Sequence, residues 1–183
     1  LDKESFSHTA FKLKIDIHQR ILTSRNHSGT HLLHCILRKI LGNHIEQRGS
    51  YVNHDYFRFD FTHYEKINNQ QLKEIEIEIN TVIINGIQLN EFKGLTLSEA
   101  KSMGAIALFG EKYDDLVRVI QFGDSLELCG GTHVFKTSEI GLIKIVSESS
   151  IASGIRRIEA STSLGAIKLL NKESRDLDEV KKI

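Results

Sequence analysis

Residues 26–41 read NHSGTHLLHCILRKIL, and the spacing of their leucines and isoleucines predicts an amphipathic helix. Thr23 or Ser24 is placed to cap the start of this helix, and Gly42 ends it. Upstream, polar and apolar residues alternate from Phe11 to Ile17, which predicts a strand. The pattern therefore predicts that a strand leads directly into the helix.

The predicted helix carries His27 and His31, which are four residues apart. Residues at this spacing lie on one helix face, about 6 Å apart along the axis, so two imidazoles can converge on one metal ion. A second pair with the same spacing is Cys129 and His133 in CGGTH, whose glycines suit a tight turn after a strand. Three nitrogens and one sulfur suit zinc better than magnesium or calcium. The sequence thus predicts Zn²⁺ as cofactor.

Two further candidate ligands share the helix. Cys35 lies about 12 Å along the axis from His27, too far to share one ion, and we interpret it as a small buried residue. His34 is interpreted as a surface or core histidine, with a position behind the ligands as the alternative. A metalloprotease helix needs glutamate where Ser28 stands, and a nucleobase deaminase needs a Pro-Cys motif that a chain without proline lacks.

The remaining periodicity predicts an α+β fold, because helices and hairpins occur without regular β-α-β alternation. The predicted elements are a strand at 57–61, helices at 69–85 and 96–104, a hairpin of 105–109 with 116–122, strands at 126–128, 140–146 and 157–161, and a helix at 164–183. We expect a mixed or antiparallel sheet with packed helices and a zinc site between the N-terminal half of a helix and a strand-turn. Residues 1–163 form the expected zinc-binding domain, and 164–183 a C-terminal helix that can begin a connection to a further domain.

Composition is that of a soluble globular protein, with 40% hydrophobic and 26% charged residues. Lys plus Arg and Asp plus Glu number 24 each, so the chain is not built for indiscriminate binding to polyanions. No apolar run approaches the roughly 20 residues that span a bilayer, so no membrane association is expected. The two cysteines predict reduced thiols and a cytoplasmic location. The start at Leu1 instead of Met indicates a piece of a longer protein.

Six stretches together resemble the editing region of bacterial alanyl-tRNA synthetases, over roughly residues 14–165. They are 26–34 (NHSGTHLLH), 47–50 (QRGS), 58–61 (RFDF), 107–113 (ALFGEKY), 127–134 (ELCGGTHV) and 154–160 (GIRRIEA). The resemblance implies an excised editing domain that hydrolyses serine or glycine wrongly esterified to tRNA(Ala), without charging tRNA itself. Its implied partners are the acceptor end of that tRNA and the other domains of the synthetase. The one departure is Gly29, where the family usually has alanine. Free-standing alanyl-tRNA deacylases, the related threonyl-tRNA synthetase editing domain and an RNA-binding module with purely structural zinc are the alternatives.

Substrate residues are proposed at two positions. Thr30 precedes a ligand and can offer a hydroxyl near the metal, unless it bonds back to its own helix, and Gln47 stands in a motif that resembles one lining the family's pocket. Zinc can activate water or polarise the ester carbonyl, yet four protein ligands are typical of a structural site. Either one ligand is loose, for which we choose His133, or the zinc binds substrate by expanding its shell, or it mainly shapes the pocket. No side-chain base is identified. Glu127 is interpreted as an exposed strand carboxylate, with a position behind the ligands as the alternative, because alternation places it on the same side as Cys129. Of Arg156 and Arg157, one is expected to pair with a carboxylate and the other to meet a phosphate.

Overall fold

The computed structural model describes residues 12–108 and 112–181, which fold into four α-helices and seven strands. Their bounds are α1 Ile17–Leu41, β1 Gln47–Val52, β2 Phe57–Thr62, α2 Asn69–Ile84, β3 Asn90–Thr96, α3 Leu97–Ser102, β4 Leu116–Phe122, β5 Ser125–Leu128, β6 Ile143–Ala152, β7 Ile155–Thr162 and α4 Ser163–Val180. A short 3-10 helix, Thr137–Ile140, precedes β6. The predicted α+β class is confirmed, and all strand pairs within the sheets are antiparallel.

Helix α1 begins earlier than the sequence pattern predicts. Asp16 caps it by accepting a hydrogen bond from the Gln19 amide at 3.1 Å, and the Ser24 hydroxyl lies inside the helix, where it donates to the Arg20 carbonyl. Capping at Thr23 or Ser24 is therefore wrong. The strand predicted from 11 to 17 is absent over the described residues 12–17, and residue 11 lies outside them. The prediction failed here because the first turns of α1 are exposed and carry no apolar stripe. Its end is as predicted: the Gly42 amide donates to the Arg38 carbonyl at 3.0 Å.

The first sheet has four strands in the order β1-β2-β7-β6. In β2, alternation places Phe57, Phe59 and Phe61 in the core, as predicted. Helices α1 and α2 pack on this buried face, and their leucines and isoleucines join the three phenylalanines in one apolar cluster. Because apolar burial contributes roughly 25 cal/mol per Å², this cluster is the main stabilising contact between α1 and the sheet.

The second sheet has three strands in the order β3-β4-β5 and packs against α3. The predicted hairpin of 105–109 with 116–122 is wrong. Strand β4 pairs with β3 and β5, whereas Ile106 forms a parallel bridge with Glu127 of β5; Phe109 lies outside the described residues. The amide and carbonyl groups of Ile106 both form hydrogen bonds with β5, so Ile106 has no backbone group left to pair with β4.

Helix α1 contacts strands of the first sheet on one side and β5 of the second sheet on another. Because α1 starts at Ile17, His27 and His31 lie near its middle and not only in its N-terminal half, which corrects the predicted placement. Helix α4 packs on β6 and β7 through the buried Ala166. The domain boundary at 163/164 stays a prediction. Within the described ranges, no helix is both long and apolar enough to cross a bilayer.

Candidate metal centre

Four side chains from distant parts of the chain meet where α1 faces the end of β5. They are His27, His31, Cys129 and His133, and their potential ligand atoms all lie within 4.8 Å of one another. The Cys129 Sγ is 3.4 Å from the Nε2 atoms of both His27 and His133. A tetrahedral zinc ion with bonds of about 2.0–2.3 Å separates its ligand atoms by about 3.3–3.6 Å. The predicted cluster is present and has the dimensions of a metal site.

The loop after β5 is held against β4 by hydrogen bonds from the Arg118 side chain to its backbone. Arg118 of β4 donates to the carbonyls of Cys129 and Gly131 at 2.9 and 2.7 Å, which fixes the course of the CGGTH turn. Gly131 is required by space: a Cβ atom there would lie 2.1 Å from Cε1 of His27. Gly130, by contrast, has open space at the same position. The sequence analysis did not identify Arg118, and nothing in its local sequence marks it.

Each of the three imidazoles has a contact behind it. His133 Nδ1 is 3.1 Å from the Ser28 hydroxyl, which also accepts a hydrogen bond from the Val134 amide. His27 is hydrogen-bonded to the Thr132 backbone. With these contacts on one ring nitrogen, the other nitrogen is free to bind an ion, which is the usual arrangement in metal sites. Ser28 is fully buried and was missed, because no spacing rule points to a hydroxyl beside the first ligand.

Behind His31 lies Glu127, whose Oε2 is 3.7 Å from His31 Nδ1. Its other oxygen, Oε1, is 3.1 Å from Nδ1 of His34. Interpreting Glu127 as an exposed strand carboxylate was wrong: it is 5% exposed, because β5 packs against α1. His34 is buried beside Phe59, which confirms the prediction of a core histidine. Through its contact with Glu127 it also lies behind the ligands, as the alternative prediction required.

Burial favours the neutral, metal-binding form of the imidazoles. It lowers the pKa of His31 to about 3 and that of His133 to about 2, and it also lowers the pKa of His27. Burial raises the pKa of the Cys129 thiol, so a cation at the centre is needed to hold it as thiolate. On helix α1, burial raises the pKa of the Cys35 thiol to about 11, as expected of an inert thiol away from the cluster.

The two proposed substrate residues are not among the clustered side chains. Thr30 is buried, and its hydroxyl donates to the Asn26 carbonyl at 2.9 Å, so it does bond back to its own helix. Gln47 donates to the Ser50 hydroxyl and lines a partly open pocket of about 190 Å³ together with His34 and Arg38. Their roles in substrate binding stay predictions.

The adjacent arginines of β7 both pair with carboxylates. Arg157 makes a bidentate pair with Asp60 at 2.6 and 2.7 Å, and Arg156 donates to the buried Glu148. Each is therefore engaged within the fold on its own side of the strand. The expected carboxylate pairing is therefore present on both sides of β7, because each facing strand supplies an acid, and the expected phosphate contact stays a prediction.

An open groove of about 790 Å³ leads to the cluster along the loop 130–135 and ends at His133. Four cationic side chains and two carboxylates line it: Arg20, Arg25, Lys93 and Arg118, with Glu91 and Glu139. Phe135, at the edge of the loop, is 76% exposed. The groove therefore combines net positive charge with an exposed aromatic ring directly beside a potential metal ligand.

Comparison with known proteins places this site in a family. Residues 117–159 match the family described as the threonyl and alanyl tRNA synthetase second additional domain. The chain is 48% identical over 175 residues to the alanine–tRNA ligase of Flavobacterium psychrophilum, covering 96% of this chain and 20% of that protein. It is 50% identical over 156 residues to that of Parabacteroides distasonis (85% and 18%) and 48% identical over 173 residues to that of Chlorobaculum tepidum (94% and 20%). The chain thus spans about a fifth of the length of these relatives. The matched segment runs through β4, β5 and the Cys129–His133 loop, and over most of its length this chain is similar to the part of alanine–tRNA ligases that carries the second additional domain of threonyl and alanyl tRNA synthetases.

Proposed function

We propose that this chain hydrolyses the ester bond of tRNA(Ala) mischarged with serine or glycine, as the editing domain of an alanyl-tRNA synthetase. The observation that carries the proposal is the cluster of three imidazoles and one thiol, one member of which, His133, lines a groove with more cationic than acidic side chains. The family matched by residues 117–159 is the editing domain of these synthetases, which removes wrongly attached amino acids. We propose no aminoacylation activity for this chain.

The ion that this donor set fits best is zinc. Imidazole and thiolate are its preferred ligands, and the two distances of 3.4 Å from Cys129 Sγ to histidine Nε2 atoms fit a tetrahedral shell. Zinc bound by His27, His31, Cys129 and His133 supplies Lewis-acid chemistry, through a water molecule or the ester carbonyl. The chain's part is to keep three imidazoles neutral and oriented. Among the ligands, His133 lines the groove, and we propose it as the one that makes room for substrate.

A second site of this kind has a physical reason. An aminoacylation pocket sized for alanine discriminates against an amino acid with an added hydroxyl by only ~10²-fold. A site that hydrogen-bonds the hydroxyl discriminates against a substrate that lacks it by ~10⁴–10⁵-fold. Gln47, which lines a partly open pocket, is our candidate for such a bond to serine. Thr30 already donates its hydrogen to Asn26, so any contact it makes with substrate is as an acceptor.

The groove is our proposed path for the single-stranded acceptor end of the tRNA. Arg20 and Arg25 can neutralise its phosphates, and an exposed ring such as Phe135 can stack on a base, an interaction of about 1–3 kcal/mol per base. The remaining domains of the synthetase are proposed to deliver the tRNA. Cys35 and Cys129 are both free thiols, in keeping with the proposed cytoplasmic location.

Single-turnover release of serine from Ser-tRNA(Ala) tests the proposal, with the chain in excess and its zinc content measured. We expect release of serine but not of alanine from Ala-tRNA(Ala), and loss of release in Cys129→Ala. Excess protein offsets weak tRNA binding by a chain this short. A folded, zinc-loaded sample that releases no serine would contradict the proposal.

A second candidate function is an RNA-binding module in which zinc is purely structural. It is favoured by the four protein ligands, which fill a tetrahedral shell. Thermal melts with and without a chelator separate the two. A structural zinc predicts that chelation unfolds the chain, whereas a catalytic zinc leaves the apolar core standing and abolishes only hydrolysis.

A further inference from the structure

Glu127 lies between two histidines and forms no ion pair with a lysine or arginine of the described residues, although the charge of Arg38 also acts on it. Its side chain is 6% exposed, with Oε1 at 3.1 Å from His34 Nδ1 and Oε2 at 3.7 Å from His31 Nδ1. Within the described part of the chain, these imidazoles are its only ion-pair neighbours. The comparably buried Glu148, in contrast, pairs with the guanidinium of Arg156. A buried carboxylate without a direct ion-pair partner of fixed charge is costly, and a cation bound at the other side of His31 would offset part of that cost.

The ligand His31 has the complementary need. Its Nδ1 is buried and makes no hydrogen bond shorter than 3.5 Å, although the Glu127 carboxylate is the acceptor beside it. An imidazole that binds a metal through one nitrogen carries a hydrogen on the other, and that hydrogen requires an acceptor. With Nδ1 facing Glu127, Nε2 is left for the ion.

With a divalent ion bound, the charges of this centre would balance. The Cys129 thiolate and the Glu127 carboxylate carry two negative charges within one buried centre, whereas the three ligand imidazoles are neutral. A divalent cation cancels both charges. His34 contributes by holding the far oxygen of Glu127, which directs the near oxygen at His31.

We propose that Glu127 and His34 are positioning residues of the metal centre: Glu127 orients the His31 ring and balances the ion's charge, and His34 holds Glu127 in place. The inference rests on the proposed zinc site. It adds two residues that do not touch the ion but set how tightly it is held. Such outer contacts typically change metal affinity by about 10–100-fold.

The test is zinc affinity, measured by competition with a chromophoric chelator, together with the absorption spectrum of the Co²⁺-substituted chain. We expect Glu127→Gln to weaken zinc binding about 10–100-fold and to alter the cobalt spectrum. One amide oxygen cannot accept from both His31 and His34, and the negative charge is lost. The matched control is Glu148→Gln, the same change at an equally buried site away from the ligands, which should leave both readouts unchanged.

Two variants of His34 provide an independent arm. His34→Asn keeps a donor near the position of Nδ1 and should retain most of the affinity, whereas His34→Leu removes the donor and should weaken zinc binding. If Glu127→Gln does not fold, this pair decides. Equal zinc affinity and identical cobalt spectra in Glu127→Gln and the unchanged chain, or in His34→Leu and His34→Asn, would overturn the inference. Failure of the unchanged chain to bind zinc would instead contradict the proposed metal.

Discussion

Replacing Gly131 by alanine tests whether the CGGTH turn is shaped by its contact with a metal ligand. The new Cβ would lie 2.1 Å from Cε1 and 2.5 Å from Nδ1 of His27. Relief to an ordinary contact of about 3.4 Å requires the ring or the loop to move by more than 1 Å, whereas metal–ligand distances hold within about 0.2 Å. We therefore expect Gly131→Ala to remove His27 from the ligand set.

The expected loss of zinc affinity follows from the contribution of one ligand to the binding free energy. Structural zinc sites with four ligands bind with about 10–16 kcal/mol, so the loss of one ligand costs roughly 2.5–4 kcal/mol, or about 10²–10³-fold in affinity. Competition with a chromophoric chelator measures this directly. Gly130→Ala is the matched control, because its Cβ meets nothing within 4 Å and neither glycine has a left-handed φ. Equal zinc affinity in the two alanine variants would refute the reasoning.

Three further predictions concern the ligands and the groove. Cys129→Ala should lower zinc affinity and deacylation together while melting as a folded chain without metal; normal deacylation by a zinc-free variant would contradict a catalytic zinc. Because burial holds the pKa of His31 at about 3 and that of His133 at about 2, the metal-free chain binds fewer protons than its unfolded state below pH 6.5. The contribution of these histidines to its free energy of unfolding should be fully present above pH 6.5 and should fall as the pH drops from there towards 3, by up to about 1.4 kcal/mol per pH unit for each histidine. Thermal melts between about pH 7.5 and pH 5 would detect this loss. Arg20→Ala should weaken tRNA binding and reduce the salt slope by roughly 0.7, as one phosphate contact with a single strand predicts. Lys73→Ala, a control in a different cavity, should change neither.

The sequence pattern predicted those features that depend on local spacing. Both metal-ligand pairs follow from a four-residue repeat, and β2 follows from its alternating phenylalanines. Strands β1 and β3 were missed because each is the outer strand of its sheet and largely exposed, so no apolar alternation marks it. The predicted hairpin failed because apolar residues near Ile106 record burial, not the identity of the paired strand.

The surroundings of the metal centre could be predicted only in part. Spacing rules find groups that touch one ion, because those groups must converge within a few ångströms. Ser28, Arg118 and Glu127 act on the ligands from elements that only the tertiary fold brings together. A glutamate in a strand reads as exposed until the packing of α1 on β5 is known.

The ion would also tie together segments that lie far apart in the chain. Cys129 and His27 are separated by 102 residues, so a metal bound to both closes a loop as a disulfide between them would. A cross-link over about 100 residues restricts the unfolded chain by roughly 4.7 kcal/mol in the chain-entropy estimate. Each ligand pair, in contrast, is preformed within a single turn. Zinc uptake during refolding is therefore a signal for the moment when α1 docks on β5, and a chelated chain must make that long-range contact through apolar packing alone.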